Sequence, residues 1–118
     1  MSVAYPGLVI RSFQARDIAI THVALDPSRD PSGTVTTAVT SVASEGDMEV
    51  GVWEHSVGTS TDTEVEEVFV VIDGEGWVTC AEGGRIDLAP GVVGLLPAGA
   101  QTTWTVTKPL RKVWITLA

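Results

Sequence analysis

Residues 67–106 read EVFVVIDGEGWVTCAEGGRIDLAPGVVGLLPAGAQTTWTV. In this stretch short apolar segments alternate with turn sequences, namely Asp73-Gly74-Glu75-Gly76, Glu82-Gly83-Gly84, Pro90-Gly91 and Pro97-Ala98-Gly99. Glycine and proline at this spacing are typical of β-strands joined by short connections. We therefore predict five strands, at residues 67–72, Trp77–Cys80, Arg85–Leu88, Gly94–Leu96 and Ala100–Val106. Of these, Trp77–Cys80 is predicted to pair with Arg85–Leu88 as a hairpin.

The flanking sequence continues this pattern on both sides. Thr34–Ala43 is rich in β-branched residues, and Met48–Ser56 follows it across a hairpin turn at residues 44–47. Leu110–Leu117 is the last predicted strand, whereas Val57–Thr63 is predicted to be a polar loop. No segment keeps the helical period of about 3.6 residues, so the sequence predicts an all-β domain, either a sandwich or a jelly roll.

Composition limits the possible partners. The 118 residues are 44% hydrophobic and 19% charged, which is enough apolar material for one packed domain. The net charge of -8 would repel a phosphate backbone, so nucleic acid is not an expected partner. No apolar run approaches the about 20 residues that span a bilayer, and the N-terminus lacks a signal-peptide pattern, so no membrane partner is expected. The single cysteine, Cys80, cannot form an internal disulfide and fits a cytoplasmic location.

Several short motifs resemble those of the cupins. Six residues separate Glu67 from Gly74, as at the end of the first cupin motif, and five separate Gly91 from Pro97, as at the start of the second. A wider set resembles the small cupin family named after the (S)-ureidoglycine aminohydrolase cupin domain, to which ethanolamine-utilisation-type cupins are related. That set comprises Gly51-Val52-Trp53-Glu54, Gly58, Glu67, Pro97-Ala98-Gly99, Thr103-Trp104 and Arg111-Lys112-Val113.

The resemblance implies a cupin double-stranded β-helix, an RmlC-like jelly-roll barrel. The barrel would span residues 34–118, and residues 1–33 would form an N-terminal arm with short strands, at residues 8–10 and 18–25, in the same domain. The resemblance also implies a homodimer and a site inside the barrel mouth.

The same resemblance shows which positions would hold a metal, because cupins usually bind a divalent ion with two or three histidines and one glutamate. The first-motif histidines would fall within Ser60–Thr63 and the second-motif histidine at Thr102, yet none of these residues is histidine. Of the usual ligands only Glu67 remains, and one carboxylate among hydroxyls does not make a tight transition-metal site. We therefore expect no metal and no other cofactor. His22 and His55 lie outside the motif positions, and we interpret His55 as a surface or interface residue.

A candidate pocket lies at the mouth of the predicted barrel. Side chains alternate across a strand, so Glu67, Phe69 and Val71 are expected to point inward together, as are Thr102 and Trp104. Two carboxylates beside an indole ring would attract a cationic or amide-bearing molecule. The candidate ligand-binding residues are Trp53, Glu54, Glu67, Phe69, Thr102, Trp104 and Lys112.

The orientation of the strand Met48–Ser56 stays open in the sequence. If its Val52 face points inward, Glu54 reaches the mouth beside Glu67, whereas Trp53 lies on the opposite face. A bulge of one residue would exchange the two faces, so the pattern does not decide between them.

Glu67 is the candidate catalytic residue. Burial and repulsion by a second carboxylate would raise its pKa, which suits a general acid or base. Alternatively, Glu67 pairs with Lys112 or Arg111 and is structural. We interpret Glu64 and Glu66 as solvated. We interpret Trp77 and Trp114 as residues of the core or of a dimer interface.

Four hypotheses for the function follow. The first is a cupin that binds a small polar, nitrogenous metabolite in its barrel without the usual metal site. The second is an enzyme that acts on a ureido, amide or amine compound with Glu67 as acid–base residue. The third is a metal-dependent cupin with unusual ligands, such as Glu67, Glu54 and His55. The fourth is a structural or partner-binding protein, which a barrel filled by its own side chains would favour.

Overall fold

The computed structural model describes residues 10–117, and the short strand predicted at residues 8–10 lies outside this part except for Ile10, which is not in a strand. The strands are β1 (Val23–Ala24), β2 (Thr36–Glu45), β3 (Met48–His55), β4 (Gly58–Thr63), β5 (Glu67–Cys80), β6 (Arg85–Leu88), β7 (Val93–Leu96) and β8 (Gln101–Leu117). Residues 10–117 contain no helix, and hence none that could cross a membrane. The predicted all-β jelly-roll fold is confirmed.

Two long strands, β5 and β8, run antiparallel and form the centre of the sheet. The first half of β8 pairs with β4, and its second half pairs with β3. The first half of β5 pairs with β7 and its second half with β6. The order β1-β2-β3-β8-β5-β6, with β4 and β7 attached to the two long strands, wraps the sheet around one core.

The turn predicted at residues 73–76 is wrong, because β5 continues through it. The register between β5 and β8 shifts three times here, so the strand bends instead of reversing. Gly74 has a φ of 95°, and a Cβ on it would lie 2.2 Å from the carbonyl oxygen of Pro109. Glycine therefore allows two bent strands to pass closely at the barrel corner. The strands predicted separately at Ala100–Val106 and Leu110–Leu117 likewise form the single strand β8, and its register with β5 shifts between them.

The polar loop predicted at Val57–Thr63 is also wrong, since β4 occupies Gly58–Thr63. Its hydroxyl side chains alternate, with Ser60 buried and Thr59 and Thr61 exposed. Pairing with the first half of β8 satisfies its backbone, and β-branched threonine suits a strand. Polarity alone therefore gave the wrong assignment.

The core is one cluster of buried residues from β5, β6, β7 and β8. Phe69, Val71 and Trp104 are buried in this cluster, as their predicted inward orientation requires, and so is Val106. The remaining buried members of this cluster are Val78, Leu88, Leu96 and Leu110. Phe69 and Trp104 connect this core to Lys112 on β8.

Candidate functional site

A pocket of about 330 Å³ opens at the barrel mouth. Its walls carry four carboxylates, from Glu49, Asp62, Glu64 and Glu67. They also carry the indole rings of Trp53, Trp104 and Trp114 and the ammonium group of Lys112. The site therefore combines an excess of negative charge with aromatic walls.

Lys112 lies at the centre of this site. Alternation along β8 turns it inward, opposite Trp53 on β3, and it is only 4% exposed. Its Nζ lies 4.5 Å from the ring centroid of Trp104, 4.6 Å from that of Trp53 and 4.7 Å from that of Phe69. The ammonium group is thus held in a cage of three aromatic rings, where cation–π attraction is strongest because water is excluded.

The carboxylate of Glu67 completes the cage. Glu67 is the first residue of β5, and its carboxylate accepts a hydrogen bond of 2.6 Å from Lys112 Nζ. Burial raises the pKa of Glu67, and the neighbouring ammonium group opposes this shift. Both alternatives for Glu67 therefore have structural support, because it is paired with Lys112 and its pKa is also raised.

Glu64 is the acidic residue that sequence reasoning missed. We expected it to be solvated, but it is 8% exposed. Its Oε2 accepts hydrogen bonds from Thr102 Oγ1 at 2.6 Å and from Trp104 Nε1 at 3.0 Å. Its backbone N–H donates to Ala100 O, and its carbonyl accepts from the N–H of Gly99, so the turn before β8 fixes its position. The sequence signal for this buried acceptor was the pair of donors on the inward face of β8, namely the hydroxyl of Thr102 and the indole N–H of Trp104.

Glu54 does not belong to this pocket. Alternation along β3 turns Trp53 inward and Glu54 outward, and the register places Glu54 opposite Arg111. There Glu54 Oε2 accepts a hydrogen bond from Arg111 Nε at 3.2 Å, and its Oε1 lies 3.1 Å from His22 Nε2. Arg111 also donates to the carbonyl of Ile18, so this cluster ties the N-terminal arm to the outer face of the sheet. The expectation that Glu54 joins Glu67 at the mouth is wrong.

His55 is a core residue and not the expected surface or interface histidine. It is 1% exposed, and its Nε2 lies 2.8 Å from Ser60 Oγ. Burial lowers the pKa of its imidazole, because the charged form is poorly solvated there.

The residues present do not fit a metal ion. Glu54 and His55 lie on opposite faces of β3, and the carboxylate of Glu67 is bonded to an ammonium group. Within residues 10–117, no group of three or more His, Cys, Asp or Glu residues is placed to hold a metal. The ligand set of the third hypothesis is therefore not brought together.

The other predicted site residues do come together. Trp53, Glu67, Trp104 and Lys112 line the pocket, Phe69 forms the floor of the cage, and Thr102 holds Glu64. Trp114, which we expected in the core or a dimer interface, also lines the pocket and is 9% exposed. Whether these residues bind a ligand stays a prediction.

Comparison with known proteins agrees with the fold. A model of the EutQ-like cupin domain family matches residues 42–114. The structure of the EutQ protein from Clostridium difficile has 17% identity and a TM-score of 0.66, covering 80% of this chain and 79% of that one. A putative ethanolamine utilization protein Q from Salmonella typhimurium LT2 has 17% identity and a TM-score of 0.64, covering 84% and 94%.

A structural-genomics protein of unknown function from Rhizobium leguminosarum bv. viciae 3841 has 22% identity and a TM-score of 0.70, covering 93% of this chain and 98% of that one. No curated protein matches the sequence. At these identities the structural similarity shows the fold alone.

Proposed function

This chain belongs to the EutQ-like cupin domain family, and on that premise we propose that its barrel-mouth pocket binds a small polar, nitrogen-bearing metabolite without a histidine metal site. The observation that carries this proposal is the carboxylate of Glu64. It is buried beside Trp104, and among residues 10–117 it has no ion-pair partner. A buried carboxylate that forms no ion pair favours a ligand that brings positive charge or N–H donors.

The charges around the pocket support the same class of ligand. Lys112 is the one cation on its walls, and its ammonium group is already bonded to Glu67. Of the other carboxylates, Asp62 is paired with Arg29 at 3.3 Å, whereas Glu49 and Glu64 form no ion pair within residues 10–117. The net charge at the mouth is therefore negative, which attracts cations and repels anions. Trp53 and Trp114 add aromatic surface, which favours an ammonium or amide group over a purely apolar molecule.

A variant of Glu64 tests the proposal. Binding of small ammonium and amide compounds would be measured by calorimetry; ethanolamine is included because the name of the Salmonella protein mentions it. Glu64→Gln keeps an acceptor for Trp104 but removes the charge, so we expect the affinity of any binding compound to fall about tenfold or more. Glu66→Gln is the matched control, because Glu66 is exposed and lies outside this pocket. Equal affinities in the two variants would contradict the proposal.

A second candidate function is acid–base catalysis by Glu67, which its raised pKa supports. The substrate would be a ureido, amide or amine compound, as the resemblance to the ureidoglycine aminohydrolase cupin domain implies. Glu67→Gln should then abolish turnover of such a compound while the protein stays folded. Full turnover by the folded variant would remove this candidate.

We also propose that the protein acts as a homodimer in the cytoplasm. Leu95 pairs with Val68 on β5, which pairs with Ile115 on β8, so these side chains form a row on one face of the sheet. With Leu117 they border a groove of about 480 Å³. Leu95 is 73% exposed and Leu117 is 64% exposed, and exposed apolar area of this kind commonly marks an interface.

A further inference from the structure

The pocket at the barrel mouth carries charged groups inside and exposed valines at its entrance. Among the residues that line it, Glu64 is 8% exposed and Lys112 is 4% exposed, whereas Val39 is 66% exposed and Val65 is 62% exposed. Folded proteins usually show the opposite order, with apolar side chains buried and charged ones in solvent. An apolar entrance above charged walls is unfavourable in water and favourable against an apolar group.

The carboxylates inside keep atoms that a ligand can reach. Glu64 uses its Oε2 for two donors of the chain, and within residues 10–117 its Oε1 makes no hydrogen bond. The same holds for Glu67, whose Oε2 is bonded to Lys112. Neither Oε1 is enclosed, because in this part of the chain the one buried side-chain nitrogen or oxygen without a hydrogen bond is Nε1 of Trp114. Both oxygens are therefore accessible acceptors, and a primary ammonium group has three N–H donors for them.

A row of inward-facing side chains connects the entrance to the interior. Val39 on β2 pairs with Trp53 on β3, and Trp53 pairs with Lys112 on β8. Residues directly opposite each other in antiparallel strands share a face of the sheet, so the three side chains are neighbours. Along this row the surroundings change from an exposed valine through a half-buried indole to a buried ammonium group. The indole of Trp53 therefore links the apolar entrance to the charged interior.

The other acidic side chains of the pocket lie outside this row. Asp62 is already paired with Arg29. Glu49 pairs with Thr116 in the ladder, four residues along β3 from Trp53, which is about 13 Å of strand. An apolar group beside the indole therefore does not have to take a free carboxylate out of water, a step that would oppose binding.

We infer that the pocket takes an amphiphilic primary amine. Its ammonium group contacts the Oε1 atoms of Glu64 and Glu67, and its apolar chain passes Trp53 and covers the two valines. This inference rests on the proposed binding function and adds an apolar part to the ligand. A pocket of about 330 Å³ has room for both parts, since cavities of this size hold more than an ammonium group. The valines then set a preference for chain length, because only a sufficiently long chain removes them from water.

A chain-length series tests the inference. Ethylammonium, butylammonium and hexylammonium carry the same head group and differ only in their number of methylenes. Each would be titrated by calorimetry into the full chain, and a ¹³C-labelled sample would report the methyl signals of Val39 and Val65. A fully buried methylene contributes about fourfold in affinity, and half of that burial about twofold. Hexylammonium should therefore bind about tenfold or more tightly than ethylammonium, and only the longer chains should move the two valine signals.

The variant Val39→Ser/Val65→Ser removes the apolar entrance. The ratio of the hexylammonium and ethylammonium affinities should fall to about threefold or less, because only Trp53 then remains for the chain. Val57→Ser is the matched control, since Val57 is also exposed, at 53%, but lies outside this pocket, and its ratio should equal that of the wild type. If the double variant does not fold, the valine methyl signals of the wild-type protein decide.

Three results would overturn the inference. Equal affinity for ethylammonium and hexylammonium, or a ratio that the double variant leaves unchanged, would remove the role of the valines and leave the proposed binding function standing. Binding of amides without binding of any of the three amines would have the same meaning. No binding of either class of compound would overturn both the inference and the proposed function.

Discussion

The Nζ of Lys112 lies 2.6 Å from Oε2 of Glu67 inside the barrel mouth, with both side chains largely removed from solvent. The motif glutamate of this cupin is therefore neutralised by an ammonium group of the same chain. The cost of burying two charges is offset by their short contact and by the aromatic rings around the ammonium group. The charge of Lys112 is thus paired within the chain, whereas Glu64 is a buried carboxylate of the pocket that forms no ion pair within residues 10–117.

The first prediction concerns the stability of this pair. Lys112→Met leaves Glu67 buried without its cation, and we expect the free energy of unfolding to fall by about 3–5 kcal/mol. Urea unfolding at neutral pH measures the loss. Lys108→Met is the matched control, because the Lys108–Glu75 pair is exposed and should cost about 1 kcal/mol or less. The double variant Lys112→Met/Glu67→Gln should recover part of the loss, and a double variant as unstable as Lys112→Met would contradict this account.

The second prediction concerns pH. Burial lowers the pKa of His55 below its usual value of 6.5, so below that pH the unfolded chain binds a proton that the folded protein does not. Stability should therefore fall as the pH drops through 6.5, by at most about 1.4 kcal/mol per pH unit. Glu67 contributes with the opposite sign, because its raised pKa makes the folded protein take up the proton first.

The comparison of wild type with His55→Gln separates these two effects, since Glu67 is present in both. Urea unfolding between about pH 7.5 and 5.5 should show a steeper loss of stability in the wild type. Parallel curves would mean that His55 has the same pKa in the folded and the unfolded protein, which would contradict the lowering of its pKa by burial.

The third prediction tests the packing of Trp114. Gly51→Ala would place a Cβ 2.1 Å from the Trp114 ring and 2.2 Å from the carbonyl oxygen of Thr40. We expect a loss of about 2 kcal/mol or more in the free energy of unfolding, together with a changed Trp114 environment in near-ultraviolet circular dichroism. Thr59→Ala on the exposed face of β4 is the control and should change stability by about 0.5 kcal/mol or less. A Gly51→Ala protein as stable as this control would contradict the observed packing.

The strand pattern predicted the fold because period-two alternation and glycine turns act locally. The contact of Lys112 with Phe69 and Trp104 was also predictable from the sequence, since each residue falls on the inward face of its own strand. Whether Trp53 or Glu54 points into the barrel was not predictable from the sequence. Alternation assigns the two residues to opposite faces of β3, and only the pairing of β3 with β8 decides which face points to the core. Glu64 was missed because it lies in a connection, where its burial depends on contacts with residues 99–104.

The last prediction concerns the apolar face of the sheet. Leu95 is 73% exposed at the groove bordered by Ile115 and Leu117, so a charge there should prevent two copies from packing together. We expect the wild type to behave as a dimer in light scattering after size exclusion, and Leu95→Asp to be a monomer with unchanged far-ultraviolet circular dichroism. Val57→Asp is the control, because Val57 is also exposed, at 53%, but lies outside this groove and should leave the dimer intact. A wild-type monomer, or a dimer that Leu95→Asp does not affect, would exclude this face as the interface.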